Sequence, residues 1–259
     1  MSASEIRRHD GAAGWTLVDG LALLALAAPW VAAALLPPLA QWQSYHDFAD
    51  QRTLLGVPHA LDVLSNLPFL VVGGLGLLHL ARAEIDRAVA LPYGLFFAGA
   101  LLTAFGSAWY HLDPGDTTLV WDRLPIALGF AGLVAATLVD RVPRRAVPFS
   151  ALFAGVAVAT VLNWSWGGNL LPYLVMQASF VAAALVATAR VVSTFTHARW
   201  LYGAALLYGA AIVCEKFDKP IAALLHGAVS GHTLKHLLAA LALCVVYAML
   251  RRRRPSGNQ

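Results

Sequence analysis

Charge is what this chain has least of. Only 12% of its 259 residues are Asp, Glu, Lys or Arg, about half the share of a soluble domain, and 59% are hydrophobic. That shortage excludes a water-soluble globular domain and implies a membrane protein. Cysteine is nearly absent too: Cys214 and Cys244 have no CxxC spacing, so they read as packing residues and indicate no redox compartment. Low-complexity segments, internal repeats and linkers long enough to split the chain are also missing, which leaves one domain.

What is present is a series of apolar runs. Eight are of about the length that crosses a hydrocarbon core: 16–36, 61–81, 91–112, 117–139, 146–163, 171–194, 200–217 and 232–250. The runs 146–163 and 200–217 are the shortest. The first follows Arg7 and Arg8 and precedes small residues, as a signal sequence does, but its roughly 21 apolar residues exceed a usual signal core, which favours a true span.

Basic residues orient the spans, because loops retained in the cytoplasm are enriched in them. With the N-terminus inside, Arg7, Arg8, Arg82, Arg87, Arg141, Arg144, Arg145, Arg190, Arg199 and Arg251 to Arg254 share one side. Only Arg52, Lys216 and Lys219 fall in the opposite loops. The net charge of +4 therefore reports topology, and the terminal RRRR reads as a stop signal at the cytoplasmic face rather than a nucleic-acid site.

Ionisable side chains are expensive inside spans, so each is a functional candidate. In this topology Ser107 and His111 end the third span, Asp122 opens the fourth, and His232 and His236 open the eighth. All five come out at the non-cytoplasmic end, although only loop arginines set the orientation. Ser107 and His111 are four apart, as are His232 and His236 in "GHTLKH", so each pair shares a helix face. Two histidines one turn apart and a third from a neighbouring helix make three ligands, which with an open fourth position is the arrangement of a catalytic zinc. Paired HxxxH alone also suits haem, copper or a proton relay. Lone histidines near helix ends, such as His9, His79, His197 and His226, are read as interfacial or hydrogen-bonded.

"GSAWYH", an Asp eleven residues after the His in "VWDRLP", and "GHTLKH" opening the last span closely resemble the alkaline ceramidases. These belong to a superfamily of seven-helix membrane hydrolases that includes the adiponectin-type receptors. "LDVLSNLPFLVVG", Leu61 to Gly73, is similar to a Ser-Asn-Leu stretch in that family's first core helix. The resemblance covers roughly residues 44–250. It implies an all-α, polytopic transmembrane helical bundle: residues 1–43 carry an extra N-terminal span, 44–250 a seven-helix hydrolase core, and 251–259 a basic cytoplasmic tail. It further implies that His111, His232 and His236 bind Zn2+ and that Ser107 and Asp122 accompany them in catalysis. Such ceramidases also hold Ca2+ in an acidic loop. In the matching "DFADQR", Asp47 and Asp50 keep two acidic positions, but Arg52 stands where an oxygen ligand is expected, and His59 where the family tends to have Glu. Ca2+ wants six or more oxygens, so Arg52 is expected to pair with Asp47 or Asp50 and replace the ion.

The chemistry implied is amide hydrolysis of a ceramide-like membrane lipid. Zinc lowers the pKa of a bound water and polarises a carbonyl. Asp122 is then the general acid/base and Ser107 a donor to the oxyanion. Ser107 has a metal ligand one turn away rather than a free base, which disfavours an acyl-enzyme, and it lacks the GxSG setting of a rhomboid-like protease. Arg123 faces elsewhere on the helix, toward the headgroup or merely the interface. Small residues in spans two, three and seven (Gly73, Gly74, Gly76, Gly99, Ala100, Ala104, Gly203, Ala204, Ala205) read first as close packing, otherwise as an acyl cavity. Trp109, Trp121, Trp164 and Trp166 read as an aromatic belt, and Asp113 and Asp116 as solvated turn formers. Hydrolysis of another acylated lipid, or a receptor-like or transport protein with a structural metal, is the alternative.

Overall fold

The computed structural model describes residues 27–141 and 145–256. Every regular element among them is a helix, as an apolar chain with intrahelical backbone bonding requires in lipid. In chain order these are α1 (Ala60–Leu64), α2 (Leu67–Arg82), α3 (Arg87–Leu112), α4 (Asp116–Val139), α5 (Ala146–Gly167), α6 (Leu171–Arg190), α7 (Trp200–Lys216), α8 (Asp218–Leu224) and α9 (Gly231–Arg252). A 3-10 turn at Gln43–His46 precedes them, and residues 27–35 are helical. The rest of the first expected span lies outside the described residues.

Among the described residues, six segments are long and apolar enough to cross a membrane: α1 with α2, then α3, α4, α5, α6 and α9. The run at 200–217 becomes α7, whose 17 residues rise only about 25 Å against a hydrocarbon core of about 30 Å. The run at 171–194 stops being helical at Arg190. The run at 61–81 is broken at Ser65 and Asn66, because Pro68 in the first turn of α2 has no amide hydrogen to continue the ladder from α1. That break turns the Ser65 and Asp62 side chains toward α9.

Glycines let the first helices touch backbone to backbone. A Cβ on Gly99 would lie 2.6 Å from the Gly129 nitrogen, and one on Gly106 only 1.9 Å from the Trp121 oxygen. Gly73 serves the α2–α3 contact in the same way against the Leu101 backbone, and Gly76 makes room there for the Phe97 ring. Close packing is thus the meaning of Gly73, Gly76 and Gly99, whereas Ala100 on α3 lines a cavity. In α7 close packing is not the meaning: Gly203 meets nothing within 4 Å, and Ala204 and Ala205 line a cavity.

The arginine-rich end of the bundle is also built rather than merely solvated. The Arg253 side chain is only 6% exposed, its Nη1 2.9 Å from both Asp140 carboxylate oxygens, and Tyr93 donates its hydroxyl hydrogen to Asp140 Oδ2 at 2.9 Å. Beyond it the Thr196 amide donates to the Arg254 carbonyl and the Ser256 amide to the Thr194 carbonyl. Reading RRRR as a stop signal alone is therefore incomplete. Arg251 and Arg252 still belong to α9, and Arg253 anchors the chain end to the loop after α6.

A candidate metal centre at the head of a cavity

His111 lies at the last turn of α3, and His232 and His236 in the first turns of α9. All three are buried, and one donor atom from each falls within 4.8 Å of the others. Among the described residues, both ring nitrogens of His111 and Nε2 of His232 have no hydrogen-bond partner. Buried polar atoms left unpaired are costly, and three converging imidazoles are repaid by a cation with nitrogen preference. The donor set fits Zn2+: three neutral ligands with an open fourth position.

Ser65 sets the third ligand. Its hydroxyl hydrogen goes to the Asp62 carbonyl at 2.9 Å, so its oxygen accepts from Nδ1–H of His236 at 2.7 Å. That fixes the tautomer and leaves Nε2 of His236 with a lone pair for a metal. Two acids then hold the start of α9. The fully buried Asp62 accepts from Thr233 Oγ1 at 2.5 Å and Ser230 Oγ at 3.0 Å. Asp218 accepts from the His232 amide at 2.7 Å through one oxygen and from the Ala49 amide at 2.8 Å through the other. Carboxylates at the amino end of α9 also complement its dipole.

In the loop carrying Asp47, Asp50 and Arg52, both acids pair with cationic side chains. Asp50 is buried; Oδ1 takes the Arg52 Nε hydrogen at 2.6 Å and Oδ2 the Leu61 amide at 2.8 Å. Of the two acids that Arg52 was expected to pair with, it is Asp50. Asp47 pairs with Lys219, and Arg52 reaches on to the Ala228 carbonyl at 3.0 Å. Burial pushes the Asp50 carboxyl up, but the Arg52 hydrogen bond, the Leu61 amide and the Arg52 charge outweigh it and hold the group below its ordinary value. His59, in left-handed conformation, closes the loop by a 2.6 Å contact from Nδ1 to the Asp50 carbonyl. The loop's contribution to the centre is Phe48, whose ring centroid sits 4.6 Å from those of both His111 and His232.

Phe48 covers one side of the triad, and the other side faces the protein interior. There a cavity of about 290 Å³ begins at Ser107, Asp122 and His236. Ser107 and Asp122 are both buried, and Ser107 Oγ and Asp122 Oδ1 have no hydrogen-bond partner among the described residues, although the hydroxyl is within electrostatic reach of the carboxylate. From Asp122 the cavity continues past Phe130 to Leu133 on α4, about 16 Å along the axis, and reaches Leu201 on α7 and Val246 on α9. Its walls include α6 and α7, which meet only sparsely.

Beside the polar head lie groups that spacing did not single out. Lys235 donates to Glu215 at 2.5 Å, and Glu215 also accepts from the Tyr45 hydroxyl at 3.0 Å. Lys235 was visible as a charge one residue before His236; nothing local tied Glu215 to it. Arg123 is buried, donates from Nη2 to Gln41 Oε1 at 2.7 Å, and stacks on Trp164 at 4.0 Å. Trp164 is accordingly a buried partner of Arg123, not part of an interfacial belt, whereas Trp109, Trp121 and Trp166 are exposed. Asp116 is more than a turn former, since it accepts from Gln43 Nε2 and faces His46 Nε2, both at 3.0 Å. No family model matches this chain, and no curated protein matches it in sequence.

Proposed function

We propose that the protein is a membrane-embedded, zinc-dependent amidase that cleaves a ceramide-like lipid into a sphingoid-type amine and a free fatty acid, as its resemblance to the alkaline ceramidases implies. The observation that carries this reading is a cluster of three buried histidines, with unpaired ring nitrogens on His111 and His232, that meets the polar head of a long apolar cavity at His236. His111, His232 and His236 hold the ion, which when bound supplies a more acidic water and a polarised carbonyl. An acyl chain fits the lobe toward Leu201 and Val246, which brings the scissile amide of a chain-inserted lipid to Ser107 and Asp122. Asp122 takes the proton of the attacking water and returns it to the departing nitrogen. Ser107 donates its hydroxyl hydrogen to the oxygen on which charge develops. Phe48 keeps bulk water from the loop side of the histidines. The arginine-rich end faces the cytoplasm in this reading, with the metal centre at the opposite membrane boundary.

The test is fatty-acid release from ceramide, from other N-acyl lipids and from acyl esters, measured with bound zinc for the native protein and for His232→Ala. Loss of metal and of ceramide hydrolysis together is expected. Hydrolysis that survives metal loss contradicts the mechanism, and metal-dependent cleavage confined to other lipids contradicts the substrate assignment alone.

A further inference from the structure

Arg123 is a buried cation with no salt-bridged carboxylate among the described residues. Its side chain lies in the wall of the cavity, among the 5% or less exposed residues of the core, and makes one hydrogen bond, to the neutral amide of Gln41. No carboxylate forms an ion pair with it among the described residues, and its Nη1 has no hydrogen-bond partner there. Asp122, its neighbour in sequence, lies within Coulombic range of Arg123 but forms no ion pair with it and lies with Ser107. Glu215, the other acid at the cavity head, is engaged by Lys235 and Tyr45. Aromatic rings hold the guanidinium in place: Trp164 at 4.0 Å, Tyr173 at 5.0 Å and Tyr45 at 5.6 Å. A guanidinium is never discharged by burial, so a buried one with no ion-paired carboxylate among the described residues is an incomplete ion pair. Interfacial duty does not explain it, because an arginine serving the interface extends to water.

We infer that Arg123 is a specificity-determining residue that binds an anionic oxygen, carboxylate or phosphate, on the head side of the acylated lipid, so that an acidic N-acyl lipid is bound more tightly than the neutral lipid of the same chain. This rests on the lipid amidase reading and narrows it. The location agrees with the depth of the parts. The apolar lobe runs from Asp122 toward Leu133 and Val246, whereas Arg123 lies with Gln41, Trp42 and Tyr45 at the end where the N-terminal segment covers the bundle. A lipid with its chain in the lobe and its amide at Ser107 therefore projects its head toward the guanidinium.

Equilibrium binding to the zinc-loaded full chain in detergent, with each ligand's amide replaced by a non-cleavable ketomethylene group, tests this without turnover, so failure of the amidase reading does not obscure it. Two pairs of ligands differ only in head charge: N-oleoyl glycine against N-oleoyl ethanolamine, and ceramide 1-phosphate against ceramide. In at least one pair the acidic ligand is expected to bind about tenfold more tightly, and the pair that responds tells carboxylate from phosphate. Arg123→Met, which keeps the volume between Trp164 and Tyr173, is expected to abolish the preference while binding of the neutral member stays within about twofold. Arg123→Lys, which keeps the charge, retains a reduced preference and reads the same comparison if the methionine variant does not fold. Equal binding of acidic and neutral ligands by the native protein overturns the inference, as does a preference that persists in Arg123→Met. Selective loss of oleate binding in Arg123→Met, with N-oleoyl glycine and ceramide 1-phosphate unaffected, assigns Arg123 to the product carboxylate and also overturns it.

Discussion

Ser65 shows how one hydroxyl prepares a ligand two helices away. By accepting from Nδ1–H of His236 it holds the ring in the tautomer and orientation a metal needs. Ser65→Ala is therefore expected to weaken zinc binding by about 10-fold to 100-fold, read by competition with a fluorescent chelator, while far-UV circular dichroism stays unchanged. Asp50 makes a second prediction, for pH. Its carboxyl is held below the ordinary value, so its stabilising effect is complete above the unfolded pKa of about 3.9 and disappears as pH falls through the lower native value. Thermal stability should fall on acidification below about pH 4, and Asp50→Asn should remove that part of the acid limb. Because Arg52 and Lys219 satisfy the two acids, added Ca2+ should leave the melting temperature unchanged, whereas Arg52→Ala should lower it.

At the scale of elements, α3 and α4 form the frame on which Ser107, His111 and Asp122 are mounted. Their contact depends on Gly106, where a Cβ would fall 1.9 Å from the Trp121 oxygen, next to Asp122. Gly106→Ala must push the helices apart, at a cost of about 1–3 kcal/mol or more, and should reduce hydrolysis far more than the equally small Gly94→Ala, where nothing lies within 4 Å. The other end of the bundle has its own anchor. Arg253→Leu leaves Asp140 buried and unpaired, a loss of about 3–5 kcal/mol, readable as a lowered melting temperature with zinc content unchanged. Arg253→Leu with Asp140→Leu should recover part of it, because the uncompensated charge is gone.

For the molecule as a whole, the sequence carried the helices and the metal candidates because both are written locally. Apolar runs of span length need only counting, and SxxxH and HxxxH fix which side chains share a face. The meeting of His111 with His232 and His236 followed from depth alone, since all three sit near one end of their spans. What was not legible depends on contacts between distant segments: Asp62 reaching Thr233, Asp218 tying Ala49 to His232, Glu215 meeting Lys235, and Phe48 lying on two imidazoles. Trp164 failed for the same reason, because aromatic residues at a membrane boundary look alike until a buried arginine is found on one of them. The small residues divided by position: Gly73, Gly76 and Gly99 close an interface, and Ala100, Ala204 and Ala205 open a cavity. No periodicity separates these outcomes.

The central claim is that one ion held by His111, His232 and His236 makes this bundle a lipid amidase. The direct measurement is a zinc titration of chelator-stripped protein, following bound metal and fatty-acid release from acyl-amide lipids in the same samples. The account predicts that release rises in proportion to zinc and saturates at one ion per chain, and that His111→Ala, His232→Ala and His236→Ala each lose both signals. Full release from the stripped protein, or saturable zinc binding in all three variants, would contradict it.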